Sequence, residues 1–376
     1  MPLTQEEVSE RFPRTAAAIE KGRRQNLHFG VTVSIRLDGS ALADFSLGET
    51  PDGHPLDSGF LLPWLSAGKP LTAVAVLREV ERGRLHLDRP VADVIPEFAT
   101  TGKEVVTLRH LLTHTAGLDT TPVGWPQAPW KTIIDRICDR GIRDGFEVGE
   151  SAAYDPARSW FVLGELLRRV DGRMPHEIVQ NDICRPIGMA STWIAMTHAE
   201  YEVNANRIAK VAARDERGGL KQTHAWTEDF WTAPSPGSST RGPVHELALF
   251  YEMLLRGGSL NGVRILGPEM VSLMTSRQRE GLFDATFQHK VDFGLGVLVD
   301  SNRYGAETVP YGFGLYSSPN SFGHGGAQTS IGFCDPERQL VVAWVANGAP
   351  GEPQHNRRNR ELNSAIYLDL GFGDDA

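Results

Sequence analysis

The first fifty residues carry two hydrophobic patterns, which predict a helix followed by a β-hairpin. In residues 4–24 the apolar side chains recur at helical spacing on a polar background. Residues 30–37 alternate between apolar and polar side chains, and residues 41–48 do so again after the turn signal Asp38-Gly39-Ser40. We therefore expect an N-terminal helix that leads into a hairpin.

Helical patterns separated by loops fill the middle of the chain. The longest begins at Ser66 and runs to about Arg82, with one apolar face and one charged face. Shorter helices are predicted at 107–117, 131–140, 160–170 and 176–183. The stretch from residue 84 to about residue 275 is therefore expected to be mostly helical and rich in loops.

Strand patterns return near the C-terminus. They cover residues 293–299, 329–335 and 340–347, and a helical pattern follows at 357–370. Strands at both ends of a chain with helices between them predict an α+β fold, in which the two ends form one antiparallel sheet flanked by terminal helices. We expect a sheet subdomain formed by residues 1–83 and 276–376, a mainly helical subdomain formed by residues 84–275, and an active site at their boundary.

Composition and charge narrow the possible partners. The 376 residues include 38 basic and 47 acidic side chains, which give a net charge of −9. Nucleic acid and anionic membranes are therefore poor partners, and no apolar stretch is long enough for a membrane span. The first residues lack a secretory pattern, and the three cysteines are far apart, as is usual in a reducing compartment. We expect a cytoplasmic protein and leave its oligomeric state open.

Ser66 and Lys69 are the first residues that suggest chemistry. If a helix begins at Ser66, the hydroxyl and the amine lie on one face of its first turn, where the amine can act as a base. Pro70 fits such a turn, because the first amides of a helix have no partner within it. The alternative interpretation is a capping serine beside a solvated lysine, which is common at helix starts.

Other histidines and tryptophans carry weaker signals. His110 and His114 have the i, i+4 spacing of metal ligands, but no third ligand accompanies them, so capping or core roles are favoured. Six tryptophans could line a cleft for an apolar acyl group, although most tryptophans in proteins belong to the core. They are Trp64, Trp125, Trp130, Trp160, Trp226 and Trp231.

The order of motifs along the chain is more specific than any one of them. A hairpin is followed by Ser-x-x-Lys at 66–69, by Thr-Leu-Arg-His-Leu-Leu-Thr-His-Thr-Ala-Gly-Leu at 107–118, by a loop with Tyr154, by Pro-Ile-Gly-Met at 186–189 and by Phe-Gly-His-Gly-Gly at 322–326. Over residues 10–368 this order resembles the serine hydrolases of the class C β-lactamase type, a superfamily that includes penicillin-binding proteins, D-aminopeptidases, family VIII esterases and some acyltransferases.

The resemblance implies a three-motif active site. Ser66 is implied as the nucleophile, Lys69 as the base, Tyr154 as a second proton carrier with a pKa lowered by the lysine cation, and His324 as a residue of the cleft. Gly325 and Gly326 would let a chain approach the backbone closely, and the amides of Ser66 and Ala327 would form the oxyanion hole. No metal or cofactor is implied.

The second motif departs from the pattern of the family. Relatives usually have Tyr-x-Asn, in which the asparagine hydrogen bonds the lysine and the substrate, whereas this chain has Tyr154-Asp155-Pro156. The side chain of Pro156 can make neither bond, which argues against efficient hydrolysis of β-lactams. Asp155 could take over part of that role.

These residues predict a serine hydrolase that acts through an acyl-enzyme on a small carboxylic ester or amide. The nearest alternative is an acyltransferase that passes the acyl group to an amine or alcohol in a biosynthetic pathway. A D-aminopeptidase or β-lactamase comes next. The chain could also be a non-catalytic homologue that only binds a ligand, because the asparagine is missing.

Overall fold

The main sheet combines strands from both ends of the chain. The computed structural model describes residues 2–223 and 226–373. The strands of this sheet are β1 (Gly30–Leu37), β2 (Ser40–Gly48), β3 (Asp292–Phe293), β4 (Leu298–Val299), β5 (Phe322–Gly326), β6 (Ser330–Asp335) and β7 (Leu340–Ala346). Their order is β3-β4-β5-β6-β7-β1-β2, and every neighbouring pair is antiparallel. The predicted α+β class and the hairpin are confirmed.

Helices cover both faces of this sheet and fill the middle of the chain. They are α1 (Gln5–Arg11), α2 (Pro13–Arg24), α3 (Lys69–Glu81), α4 (Leu108–Leu112), α5 (Trp130–Cys138), α6 (Arg158–Asp171), α7 (Pro175–Val179), α8 (His198–Asn204), α9 (Glu228–Thr232), α10 (Val244–Leu255), α11 (Pro268–Thr275) and α12 (Glu352–Asp369). Short two- and three-residue strands pair between these elements. The predicted subdomain boundaries stay a prediction.

Several elements differ from the predicted pattern. The helix expected over 107–117 covers only Leu108–Leu112, and the helix expected over 357–370 begins at Glu352. The helix expected over 4–24 is two helices, because Phe12 leaves helical geometry before Pro13 begins α2. The strand expected over 293–299 is β3 and β4 joined by a tight turn, in which Gly296 has a φ of 78°. The segment 322–326, expected only to precede two strands, is itself strand β5.

Alternate residues of the sheet serve two separate cores. On β7, Val341, Ala343 and Val345 pack with the helical region, which includes α3, α6 and α10. Val342 and Trp344 face the terminal helices α1, α2 and α12. A period of two is what a strand buried on both faces requires. Among the described residues no helix is long and apolar enough to cross a bilayer.

Candidate active site

Ser66 lies in a turn that is held against strand β5. The turn is a single 3-10 segment, Leu65–Gly68, that runs directly into α3, so Ser66 precedes the α-helix by three residues. Leu65 has a φ of 53°, which is unfavourable for a bulky side chain and is found mainly where function requires it. Two backbone amides, those of Trp64 and Leu65, donate to the carbonyl of Thr240 at 2.9 and 3.2 Å and fix this conformation.

Lys69 is fully buried and reaches three oxygen atoms. Its Nζ lies 3.0 Å from Ser66 Oγ and 2.9 Å from the carbonyl of Pro156, and it also contacts the carbonyl of Gly237. Burial lowers the pKa of Lys69 to about 7, although the charge of Asp155 acts in the opposite direction. Two backbone carbonyls therefore bind the amine in a chain whose second motif lacks the asparagine that usually does so.

The phenol of Tyr154 meets the same serine. Its side chain lines the same cavity as Ser66, and its ring centroid lies 5.4 Å from Lys69 Nζ. Burial raises the pKa of Tyr154 well above its usual value, and the Ser66 hydroxyl offsets this only in part. The expected lowering of this pKa is therefore wrong, because removal from water outweighs the nearby amine. Tyr154 stays protonated and can donate to Ser66.

A buried ion pair positions the Tyr154 loop. Asp284 accepts a hydrogen bond from the Tyr154 amide at 3.0 Å and forms an ion pair of 3.1 Å with Arg279. The hydroxyl of Thr286 donates to the Tyr154 carbonyl at 2.9 Å. Both charged side chains are almost completely buried, and such a pair rigidifies the backbone that it hydrogen bonds.

The carboxylate of Asp155 points toward helix α6 and not into the pocket. It accepts from the amides of Ala157 and Arg158 at 3.0 Å, and from the amide and hydroxyl of Ser159 at 2.7 and 2.8 Å. Four donors leave no free acceptor for a substrate. The expected substrate contact is therefore replaced by a structural role, because the open first turn of α6 binds this carboxylate.

Strand β5 presents its last residues along the cleft. Strand β4 pairs only with Phe322 and Gly323, so among the described strands none covers the cleft side of residues 324–326. A Cβ at Gly326 would lie 2.0 Å from the carbonyl oxygen of Trp64, so only glycine lets β5 approach the Ser66 turn this closely.

His324 enters the cleft as a neutral imidazole. Its Nδ1 lies 2.7 Å from the carbonyl of Gly325, so Nδ1 carries the proton and donates. Burial and the charge of Lys69 lower the pKa of His324 to about 3. Its Nε2 has no hydrogen-bond partner among the described residues, and its ring lies 5.9 Å from that of Tyr154. The imidazole therefore has one unused acceptor, buried at the wall of the cleft.

The turn after β5 is clamped by groups near the C-terminal helix. Ala327 lines the cleft, and the next residue, Gln328, is held at three atoms. Its amide donates to the phenol of Tyr311 at 3.3 Å, and its carbonyl accepts from Arg358 at 2.7 Å. Its side-chain oxygen accepts from the Gly351 amide at 2.7 Å. These bonds fix the backbone beside Ala327, where the resemblance implies an oxyanion hole.

One cavity of about 320 Å³ brings most of the predicted residues together. Ser66, Tyr154, His324, Gly325 and Ala327 line it, whereas Lys69 lies behind the serine. Sequence reasoning missed the rest of the wall, because loops after the helical region and the start of α12 supply it without a motif. The missed residues are Thr286, Phe287, Leu298, Pro310, Tyr311, Glu352 and Asn356, whereas Pro156 of the second motif also lines the cavity.

None of the six tryptophans lines this cavity, and three of them are completely buried: Trp64, Trp160 and Trp231. The two histidines of the 107–118 segment have structural surroundings. His110 completes a capping box with Thr107 at the start of α4, and the buried His114 accepts from the amide of Asp155 at 3.0 Å.

The fold and the grouping of these residues define an α+β protein of the β-lactamase and penicillin-binding-protein type. The chain belongs to the Beta-lactamase family, whose model matches residues 15–366. It is 25% identical over 369 residues to the Esterase/beta-lactamase LipL of Mycobacterium tuberculosis, which covers 89% of this chain and 80% of LipL.

Solved structures agree with this assignment. A penicillin-binding protein homologue from Caulobacter crescentus superimposes with a TM-score of 0.77 at 25% identity and covers 96% of this chain and 98% of its own. EstCE1, described as a hydrolase with promiscuous acyltransferase activity, superimposes with a TM-score of 0.78 at 19% identity and covers 96% of this chain and 100% of its own. At that identity the second likeness concerns the fold alone.

Proposed function

We propose that this protein is a serine hydrolase that cleaves small carboxylic esters, and more slowly amides, through an acyl-enzyme on Ser66. The observation that carries the proposal is the buried Lys69 amine 3.0 Å from the Ser66 hydroxyl. A serine hydroxyl is a poor nucleophile unless an adjacent base takes its proton. Lys69 can be that base, since its pKa of about 7 leaves much of it neutral at physiological pH.

The hydrogen bonds around Lys69 suit the neutral amine. A neutral amine has two N–H donors and one lone pair, and two backbone carbonyls, those of Pro156 and Gly237, accept the two donors. The lone pair then faces Ser66 and accepts its hydroxyl proton. The carbonyls thereby orient the base in the direction that the reaction needs, without the asparagine of the second motif.

The proton path runs from serine to lysine and through tyrosine to the leaving group. Lys69 takes the Ser66 proton while Oγ attacks the substrate carbonyl, and the amides of Ser66 and Ala327 stabilise the oxyanion. Tyr154 gives its proton to the leaving oxygen as the C–O bond breaks, and the lysine cation returns the proton to the phenolate. Water then attacks the acyl-enzyme by the reverse path. His324 accepts a hydrogen bond from the incoming group.

The comparisons support this activity and raise one variant of it. LipL is named an esterase as well as a β-lactamase, and EstCE1, whose likeness concerns the fold alone, is described as a hydrolase with promiscuous acyltransferase activity. Phe287, Leu298, Pro310 and Tyr311 give this cleft largely apolar walls, which favour an alcohol or amine over water as the acyl acceptor. Acyl transfer is therefore the second candidate function.

Turnover of p-nitrophenyl acetate and butyrate by the purified chain tests the proposal. We expect steady release of p-nitrophenol and, when hydroxylamine is added, partition of the acyl group between the free acid and the hydroxamate. Mostly free acid supports the hydrolase, and mostly hydroxamate supports the transferase. No release above background would favour the non-catalytic homologue.

The pH dependence of the reaction should follow Lys69. Only the neutral amine is a base, so kcat/KM for p-nitrophenyl butyrate should rise about tenfold per pH unit at acidic pH and level off above the pKa of about 7. His324, with a pKa of about 3, does not titrate in this range. Measuring kcat/KM from pH 5 to 9 with this uncharged ester tests whether the rate rises in this way. A flat profile would contradict the assignment of the base.

Replacing Tyr154 by phenylalanine should lower kcat by about 10²- to 10³-fold with little change in KM, because the ring stays and only the hydroxyl that carries the proton is lost. Steady-state kinetics with esters of different leaving groups measure this. The loss should shrink for p-nitrophenol, which leaves without a proton. The control is Tyr367→Phe, since that buried hydroxyl donates to Asp335 at 2.9 Å in the other core. If kcat fell equally in both variants, the result would contradict a role of Tyr154 in proton transfer.

A further inference from the structure

The charge of the cleft is unusual for a site that would take β-lactams or peptide carboxylates. Among the residues that line the cleft in the described part of the chain, Glu352 is the one acidic side chain, and no lysine or arginine accompanies it. Lys69 lies behind Ser66 and is fully buried, and His324 is neutral. The lining residues of the described chain thus offer a negative charge and no arginine or lysine to pair with a substrate carboxylate. An anionic substrate would lose water there without gaining a partner.

An aromatic wall connects the reacting serine to this carboxylate. Tyr154, which lines the cavity beside Ser66, has its ring 4.8 Å from that of Phe287. Phe287 in turn lies 6.0 Å from the ring of Tyr311, whose hydroxyl donates to Glu352 at 2.7 Å. The faces of such rings attract organic cations, and one carboxylate at the end of the row adds to that attraction.

We propose that the end of the cleft formed by Phe287, Tyr311 and Glu352 is a subsite for an organic ammonium group of the substrate. The inference rests on the proposed ester hydrolysis at Ser66 and names the class of ester: one whose acyl chain or leaving group carries a protonated or quaternary amine several bonds from the carbonyl. Glu352 is the residue that determines this specificity.

The position of Glu352 on its helix affects which charge the subsite attracts. It is the first residue of α12, where the backbone amides of a helix favour an anion. With Glu352 present, its own carboxylate supplies that anion and the subsite attracts cations. With glutamine in its place, the hydrogen bond from Tyr311 is retained through the amide oxygen, but the charge is lost. The variant should therefore tolerate an anionic substrate better than the natural chain does.

Two series of isosteric esters test the subsite, because the ammonium group could lie on either side of the reacting carbonyl. One series varies the leaving group: butyrylthiocholine, S-(3,3-dimethylbutyl) thiobutyrate and S-butyryl-3-mercaptopropanoate. The other varies the acyl group in p-nitrophenyl esters of 6-(trimethylammonio)hexanoate, 7,7-dimethyloctanoate and pimelate. Values of kcat/KM come from acid release in a pH-stat or from p-nitrophenol release.

In at least one series we expect the cationic ester to exceed its neutral isostere about tenfold in kcat/KM, and the anionic ester to fall below it. Glu352→Gln should lower the cationic-to-neutral ratio severalfold, to the part that the aromatic rings supply, and should raise the anionic rate. The matched control is Glu361→Gln on the same helix, whose carboxylate pairs with Lys21 at 2.9 Å away from the cleft. It changes the net charge equally and should keep the ratio.

A ratio of one or less in both series, or a ratio that Glu352→Gln leaves unchanged, would overturn the subsite. The failure of the underlying reaction would look different. If no ester of either series, including the neutral ones, is turned over, the proposed hydrolysis falls and the subsite falls with it. Turnover of neutral esters without charge discrimination overturns the subsite alone.

Discussion

Replacing Ser66 by alanine should lower kcat/KM for p-nitrophenyl butyrate by at least about 10⁴-fold. The hydroxyl is the only group of the proposed mechanism that bonds to the substrate carbon, and removal of a nucleophile costs about as much as removal of the whole catalytic set. The protein should remain folded, because alanine fits the buried 3-10 turn and Lys69 keeps both backbone carbonyl partners. Steady-state rates measured beside a thermal melt separate the two effects.

The matched serine control lies at the far edge of the sheet. Ser46 on β2 bonds Thr32 at 3.2 Å, and β2 is four strands away from β5. Ser46→Ala should therefore leave the rate within about twofold of the natural value, since surface substitutions away from special features change little. If Ser66→Ala retained a tenth or more of the activity, another nucleophile would be at work.

Replacing Lys69 by methionine should lower kcat/KM by about 10³- to 10⁴-fold. It should also abolish the rise of kcat/KM with pH that otherwise levels off near pH 7. The serine keeps its position but loses the base that takes its proton, and general base catalysis contributes about this much. Lys69→Arg should be equally inactive, because guanidinium stays charged and cannot accept a proton. Rates from pH 5 to 9 measure both consequences. A variant with the natural pH profile would show that a different group titrates.

Lys103 supplies a close control for the removal of a buried lysine. It too is fully buried and donates to a backbone carbonyl, that of Cys138, at 2.9 Å, but it lies outside the cleft. Lys103→Met should lower the midpoint of thermal unfolding, because buried acceptors lose their donor, and should leave kcat/KM of the folded protein unchanged. A large rate loss in this variant would mean that rates follow general destabilisation.

The hydrophobic pattern predicted a helix or strand well where the same periodicity runs along the whole element. The hairpin of β1 and β2 alternates along its length, and its bounds agree with the prediction within one residue. The sequence could not show that the strand expected over 293–299 is two strands. Its residues are all apolar or glycine, and such a run has the same pattern whether it stays extended or contains a turn. The helix at 357–370 begins earlier, at Glu352, which brings that residue to the cleft.

The resemblance implied which residues meet, but not how their surroundings change their pKa values and hydrogen bonds. Tyr154 reaches Ser66 although 88 positions separate them in the sequence, yet its pKa moves opposite to the expected direction, because burial is a tertiary property. Likewise the partners of Lys69 are backbone carbonyls, which no side-chain pattern reveals. The direction of the Asp155 carboxylate is set by the unpaired backbone amides in the first turn of α6, which the sequence alone does not place.

An acyl-enzyme at Ser66 would add mass to the intact protein after an acid quench of its reaction with p-nitrophenyl butyrate, and labelling with a fluorophosphonate would do the same. We expect one adduct per chain in each case, located on the peptide that contains Ser66 and absent from Ser66→Ala. An adduct on another residue, or continued ester turnover with neither adduct, would contradict an acyl-enzyme at Ser66.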